Sequence, residues 1–191
     1  GNSFVMPKKP VLLLVFAILV CCVDALGQVS YSLAYAEASP DIVTVSIRLP
    51  RDRRGPIRFI VPRSVPGHYS VTNYDEFVEA LNAVDTTGVR TAMVRDSSGA
   101  PRWNVDAAAS SWVRVEYNVN LRKMESRLTP SDASIRRPGF AGIFNYSVLG
   151  WIDGTEREPV ECTVTVPNTW PVYSTLRPSA TLSKGELKFT A

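Results

Sequence analysis

From about Ser30 onward the sequence alternates apolar and polar residues with a period of two, and that alternation sets what this chain can fold into. In the stretch 112–121, Val113, Val115, Tyr117, Val119 and Leu121 fall on one face, with Arg114, Glu116, Asn118 and Asn120 on the other. Successive strand side chains point to opposite faces, so such a pattern buries one face and wets the other. Ile42–Leu49 repeats the pattern. Shorter candidate strands are Ser30–Ala36, Ile57–Val61, Phe77–Val84, Val89–Arg95, Arg102–Val105, Ile143–Leu149 and Val160–Val166. Asp85-Thr86-Thr87-Gly88 and Asp96-Ser97-Ser98-Gly99 supply turns, and Pro50, Pro62 and Pro167 sit at strand ends, where a missing donor costs little. Long helical periodicity is missing. The expectation is an all-β domain, an antiparallel β-sandwich or a related fold. Lys123–Gly142 is expected to be irregular, and Arg51, Asp52, Arg53 and Arg54 to form a solvated loop between strands.

The first 27 residues read as a targeting segment, not as part of this fold. Lys8 and Lys9 precede an unbroken apolar run of 13 residues, Val11–Val23, and Asp24-Ala25-Leu26-Gly27 follows with small residues at the positions a signal peptidase inspects. A membrane-spanning helix needs about 20 apolar residues, so a secretory signal helix is the better reading and a retained span the poorer one. Val20 before Cys21 argues against a lipoprotein anchor. Cleavage is expected after Gly27, giving a signal peptide over 1–27 and a domain over 28–191. Met6 is the expected initiator, with Gly1–Val5 outside the native start. The expected location is secreted or periplasmic, with membrane contact only through the signal segment.

The 164 residues that remain can close one core. Losing Lys8, Lys9 and Asp24 leaves a net charge of +2, too mild to imply a nucleic-acid partner. Cys21 and Cys22 leave with the signal. Cys162 then has no internal disulfide partner and falls in phase with Val160, Val164 and Val166, as a small buried hydrophobe would. His68 is the sole histidine. A zinc-peptidase pair of histidines or a three-histidine site is therefore beyond this chain, and no Gly-x-Ser-x-Gly elbow or phosphate loop is present. No catalytic and no metal-binding residue is assigned, and no cofactor is expected in this chain. Trp103, Trp112, Trp151 and Trp170 are the candidate interface or binding aromatics, although filling and edging the core is the plainer role for such rings. Trp112, out of phase with the valines of its strand, is the best candidate for a second packed surface.

Several segments in order resemble the N-terminal domain of the glycyl aminopeptidase family of zinc metallopeptidases. They are Tyr31-Ser32-Leu33, Val43–Leu49, the turn Pro66-Gly67-His68-Tyr69-Ser70-Val71, Phe77-Val78, Trp103, Val113–Val119, Pro159–Pro167, Trp170 and Thr175-Leu176. The turn is similar to the family's Pro-Gly-x-Tyr element, which makes Pro66, Gly67 and Tyr69 candidate structural residues, although Pro62-Arg63-Ser64-Val65 stands where the family often has an aromatic. The resemblance implies a β-rich domain ahead of a thermolysin-like catalytic domain and a PDZ domain. It also implies zinc held in that missing catalytic domain, the same polypeptide's catalytic domain as partner, and peptide as a possible substrate. Such a chain would be an accessory domain without activity of its own. The alternative is an independent exported module that binds a glycan or peptide through exposed tryptophans.

Overall fold

A computed structural model describes residues 27–65, 67, 70–106 and 110–190. Residues 1–26 of the signal peptide expected over 1–27, and Pro66, His68 and Tyr69 of the expected turn, lie outside the described residues.

The chain is mostly β. An eight-stranded sheet contains β1 (Val29–Tyr35), β2 (Ile42–Arg54), β4 (Val78–Asp85), β5 (Arg90–Ala92), β8 (Ser111–Asn120), β12 (Val160–Thr165), β13 (Ala180–Ser183) and β14 (Glu186–Thr190), in the order β13-β14-β12-β1-β2-β8-β4-β5. A four-stranded sheet has the order β11-β3-β7-β6, built from β11 (Trp151–Ile152), β3 (Ile57–Ile60), β7 (Arg102–Val105) and β6 (Val94–Arg95). A small hairpin joins β9 (Ile135–Arg137) to β10 (Phe140–Gly142). The pairs are antiparallel, as the alternation leads one to expect, except that β1 and β12 run parallel.

The alternation places Val43, Val45, Ile47, Val115, Tyr117 and Val119 on one face of the large sheet, each no more than 1% exposed. Against them come Ile57, Phe59, Trp103, Val105 and Ile152 of the small sheet, all in one buried cluster. The Phe59 and Tyr117 rings meet at 4.8 Å between centroids, so the two sheets share a core. At about 25 cal/mol per Å² of apolar surface removed from water, this shared face is the main source of stability.

Five local expectations are corrected. Val89–Arg95 is two strands, not one: the chain leaves the large sheet after Ala92, buries Met93, and enters the small sheet at Val94. Ile143–Leu149 is no strand, because Asn145–Val148 coils into the short helix α2, closed by Leu149 N–H donating to Asn145 O at 2.7 Å. Lys123–Gly142 is not irregular. It carries helix α1 (Leu121–Arg127) and then the β9–β10 hairpin. Asn120 caps α1 by accepting from Lys123 N, and Leu121 and Met124, three apart, face the core. Arg51–Arg54 is the end of β2 rather than a loop, with Arg53 donating to the carbonyls of Asp153 (2.8 Å) and Gly154 (3.0 Å). Trp112 offers no second surface. A register shift between β4 and β8, where Val84 opposes Arg114 but Asp85 opposes Trp112, leaves an extra residue in β8 and turns the indole inward. Trp112 is fully buried, and its Nε1–H donates to Gly55 O at 2.9 Å.

Both Asp-initiated turns form as expected. Asp85 Oδ1 accepts from Thr87 N and Val89 N, Asp96 Oδ1 accepts from Ser98 N, and Gly88 and Gly99 take φ of 87° and 77°.

Candidate functional site

The four tryptophans are not brought together. Trp103 is 7% exposed, meets Phe59 with the rings tilted by 45° and 5.8 Å between centroids, and lies under the Arg95 guanidinium at 5.0 Å. With Trp112, it belongs to the interior. Trp170 is half-buried against Tyr35, with ring centroids 5.3 Å apart, and its Nε1–H donates to Glu37 at 3.0 Å. Trp151 borders a cavity.

That cavity has a volume of about 290 Å³ and opens beside the outer strand of the small sheet, lined by Tyr31, Asn145, Tyr146, Leu149, Gly150, Trp151, Val160 and Cys162. Tyr31 on β1 stands directly opposite Cys162 on β12 in the parallel register, so alternation puts both on the core face. The far wall is the α2–β11 connection, which two tyrosines hold. Tyr31 donates its hydroxyl hydrogen to Gly150 O at 3.1 Å. Tyr117 donates to Val148 O and accepts from Gly150 N–H, both at 3.0 Å. Gly150 must be glycine here, since a Cβ would lie 2.4 Å from both Ile60 O and the Phe59 ring. The aromatic rim continues from Tyr146 to Phe144, stacked at 5.3 Å and partly exposed.

Burial raises the Tyr31 phenol to about 12, with Cys162 adding to the effect, and burial also raises the Cys162 thiol. Burial pushes Tyr117 far above the usual tyrosine range, against the smaller opposing effect of its Gly150 hydrogen bond. At neutral pH these groups are all protonated, so the cavity offers apolar surface and neutral polar groups rather than a nucleophile or base. Among the described residues, no three His, Cys, Asp or Glu side chains gather as metal ligands would. Sequence reasoning picked out Trp151 but not Tyr31, Tyr146 or Gly150, and took Cys162 for core. The parallel β1–β12 pairing joins residues 131 positions apart, and no local signal reports it.

The second notable constellation is centred on Asp75. Asp75, in a 3₁₀ turn at Tyr74–Phe77, has a wholly buried side chain. Arg63 reaches it with two hydrogen bonds, Nε to Oδ1 and Nη2 to Oδ2, both 2.7 Å, and Arg95 Nη2 also donates to Oδ2. Thr72 N–H donates to Arg63 O at 2.8 Å, which closes the loop at its base. Gly67 within it has φ of 86°. The cluster is a brace: its charged groups face one another, and the two arginines tie the loop and β6 to one carboxylate.

Two likenesses to solved structures stand beside this geometry. An aminopeptidase N family protein from Idiomarina loihiensis superposes with a TM-score of 0.67 at 19% identity, covering 85% of this chain and 27% of that one. An M1 zinc metallopeptidase from Deinococcus radiodurans matches at 14% identity and a TM-score of 0.40, covering 86% of this chain and 38% of that one. The chain thus spans well under half the length of either. No curated protein matches the sequence. The Idiomarina likeness speaks for the fold, and the match of residues 30–191 to the family described as Peptidase M61 N-terminal domain covers nearly the whole described core. The chain belongs to the Peptidase M61 N-terminal domain family.

Proposed function

We propose that this chain is the non-catalytic N-terminal accessory domain of an exported zinc aminopeptidase of the glycyl aminopeptidase type. In this reading it is a sandwich-like module that shapes or covers the substrate cleft of a catalytic portion carried by the same polypeptide. The carrying observation is the family match over residues 30–191, to a domain named by its N-terminal place in a peptidase. The 27% coverage of the Idiomarina chain is in keeping with it. Export rests on the arrangement of Lys8, Lys9, the apolar run Val11–Val23 and the small residues Ala25 and Gly27. Zinc belongs to the catalytic portion. With only His68 for an imidazole ligand, this chain does not have the histidine pair of a peptidase zinc site.

The test is the nucleotide sequence downstream of the Ala191 codon. An open frame running into His-Glu-x-x-His supports the accessory reading. A stop codon there overturns it in favour of an independent peptide- or glycan-binding module. The purified 191-residue chain is expected to release no amino acid from peptides, with or without added zinc; chelator-sensitive turnover would refute its non-catalytic role.

A further inference from the structure

The core face of the large sheet is not covered evenly. Val29, Val43, Val45 and Ile47 are at most 1% exposed, but Val160, Cys162 and Val164 of β12 and Leu187 of β14, on the same face by register, are only half-buried, and of that outer part of the face only Phe189, opposite Cys162, is buried, at 8% exposed. The small sheet explains the difference. Its β6 end is continuous with β5 through Met93, and at its other end Gly150, just before β11, bonds Tyr31 on β1. The bonded edge of the small sheet therefore reaches β1, while β12, β14 and β13 run on past it with Phe189 as the buried residue of their core face. Trp170 caps the Tyr35 end of β1. The Val29 end is left with the cavity between Tyr31, Trp151, Val160 and Cys162. Half-buried Val160, Cys162, Val164 and Leu187 thus adjoin an open cavity with an aromatic rim.

What covers it follows from where the polypeptide leads. In β14, Thr190 pairs with Glu161, adjacent to Val160 in the cavity wall, so a chain continuing from β14 leaves alongside the cavity. We propose that the peptidase portion following this domain docks on the half-covered face of β12 and β14 and seats an apolar side chain in the cavity between Trp151 and Cys162. The proposal rests on the accessory-domain reading and adds the surface through which that domain acts.

Cys162 is a native reporter on this face. The experiment compares alkylation of Cys162 by N-ethylmaleimide, followed by mass spectrometry of the peptide that contains it, in the 191-residue chain and in the intact protein with its downstream portion. Alkylation slower by about tenfold or more in the intact protein is expected, since the thiol is then reached only when the interface opens. Val160→Arg in the intact protein should restore the faster rate, while the 191-residue chain carrying it stays folded because Val160 is only half-buried. Equal rates in the two forms, with the intact protein hydrolysing peptides, would overturn the docking surface and leave the accessory reading standing. A frame ending at Ala191 would remove both. Protection within the 191-residue chain that grows with protein concentration would assign the face to a second copy. Protection lost on removing residues 1–27 would assign it to the leading segment, and either result overturns the proposal.

Discussion

Gly150→Ala will lower the unfolding free energy of the domain by about 3 kcal/mol or more. An alanine Cβ at this position would approach Ile60 O to 2.4 Å and the Phe59 ring to 2.4–2.6 Å. Neither neighbour can give way cheaply. Ile60 O belongs to β3, paired with β7 and β11, and Phe59 is fully buried between Trp103 and Tyr117. If the backbone shifts instead, Gly150 N–H leaves the Tyr117 hydroxyl and Gly150 O leaves Tyr31. Tyr117→Phe separates the two contributions. It keeps the ring, creates no clash, and strands Val148 O and Gly150 N, for an expected cost of about 1–3 kcal/mol. Urea unfolding followed by tryptophan fluorescence measures both, and an alanine variant as stable as the parent would show that the α2–β11 connection is not pinned as described. In a protein of this size each kcal/mol corresponds to about 2–4 °C in Tm, so the two variants are separable by thermal scanning as well.

How much of this was legible in the sequence differs from element to element, for identifiable reasons. β1, β2 and β8 were legible because each has one buried face, and alternation is the direct imprint of that burial, whereas β12 alternates in sequence although all its residues are only half-buried. The reading failed where one strand serves two layers. Nothing in Val89–Arg95 marks Met93 as the point where the chain changes sheets, because both pieces alternate in the same way. It failed also at Trp112, since a bulge shifts phase by one residue and a lone aromatic out of phase looks like an outward face. Some misses left local signals unused: Asn120 before Leu121 and Met124 is a capped helix start, and Lys184-Gly185 is a turn between β13 and β14, with Gly185 at φ 84°. The cavity was not legible at all. It is assembled from β1, β12 and the α2–β11 connection, and those come together only through a parallel pairing and two tyrosine hydroxyls.

Asp75→Asn will cost about 2–3 kcal/mol at pH 7, less than a fully buried pair would, because both arginine partners keep partial contact with water. Their side chains are 27% and 40% exposed, against 0% for Asp75. Asparagine has nearly the same shape, but its amide nitrogen would point N–H groups at guanidinium donors, so at least one of the present contacts becomes donor against donor. The loop from Arg63 to Thr72 and strand β6 both lose their tie to the carboxylate, and faster amide exchange in these two segments should accompany the loss. The pH dependence identifies the cause. Burial on its own would raise the Asp75 carboxyl, but hydrogen bonds from Arg63 and Arg95, reinforced by their charges, hold it below its ordinary value. A carboxyl depressed in the folded state contributes stability that is fully present above the unfolded value, about 3.9, and is lost as pH falls through the folded value. The gap in unfolding free energy between parent and variant should therefore be constant from pH 7 down to about pH 5 and shrink below about pH 4. Asp85, Asp96 and Glu116 are depressed as well, by their own hydrogen bonds and neighbours, but they are common to both proteins and cancel in the difference. A gap that stays the same down to pH 2.5 would mean that the charge on Asp75 is not what the brace relies on.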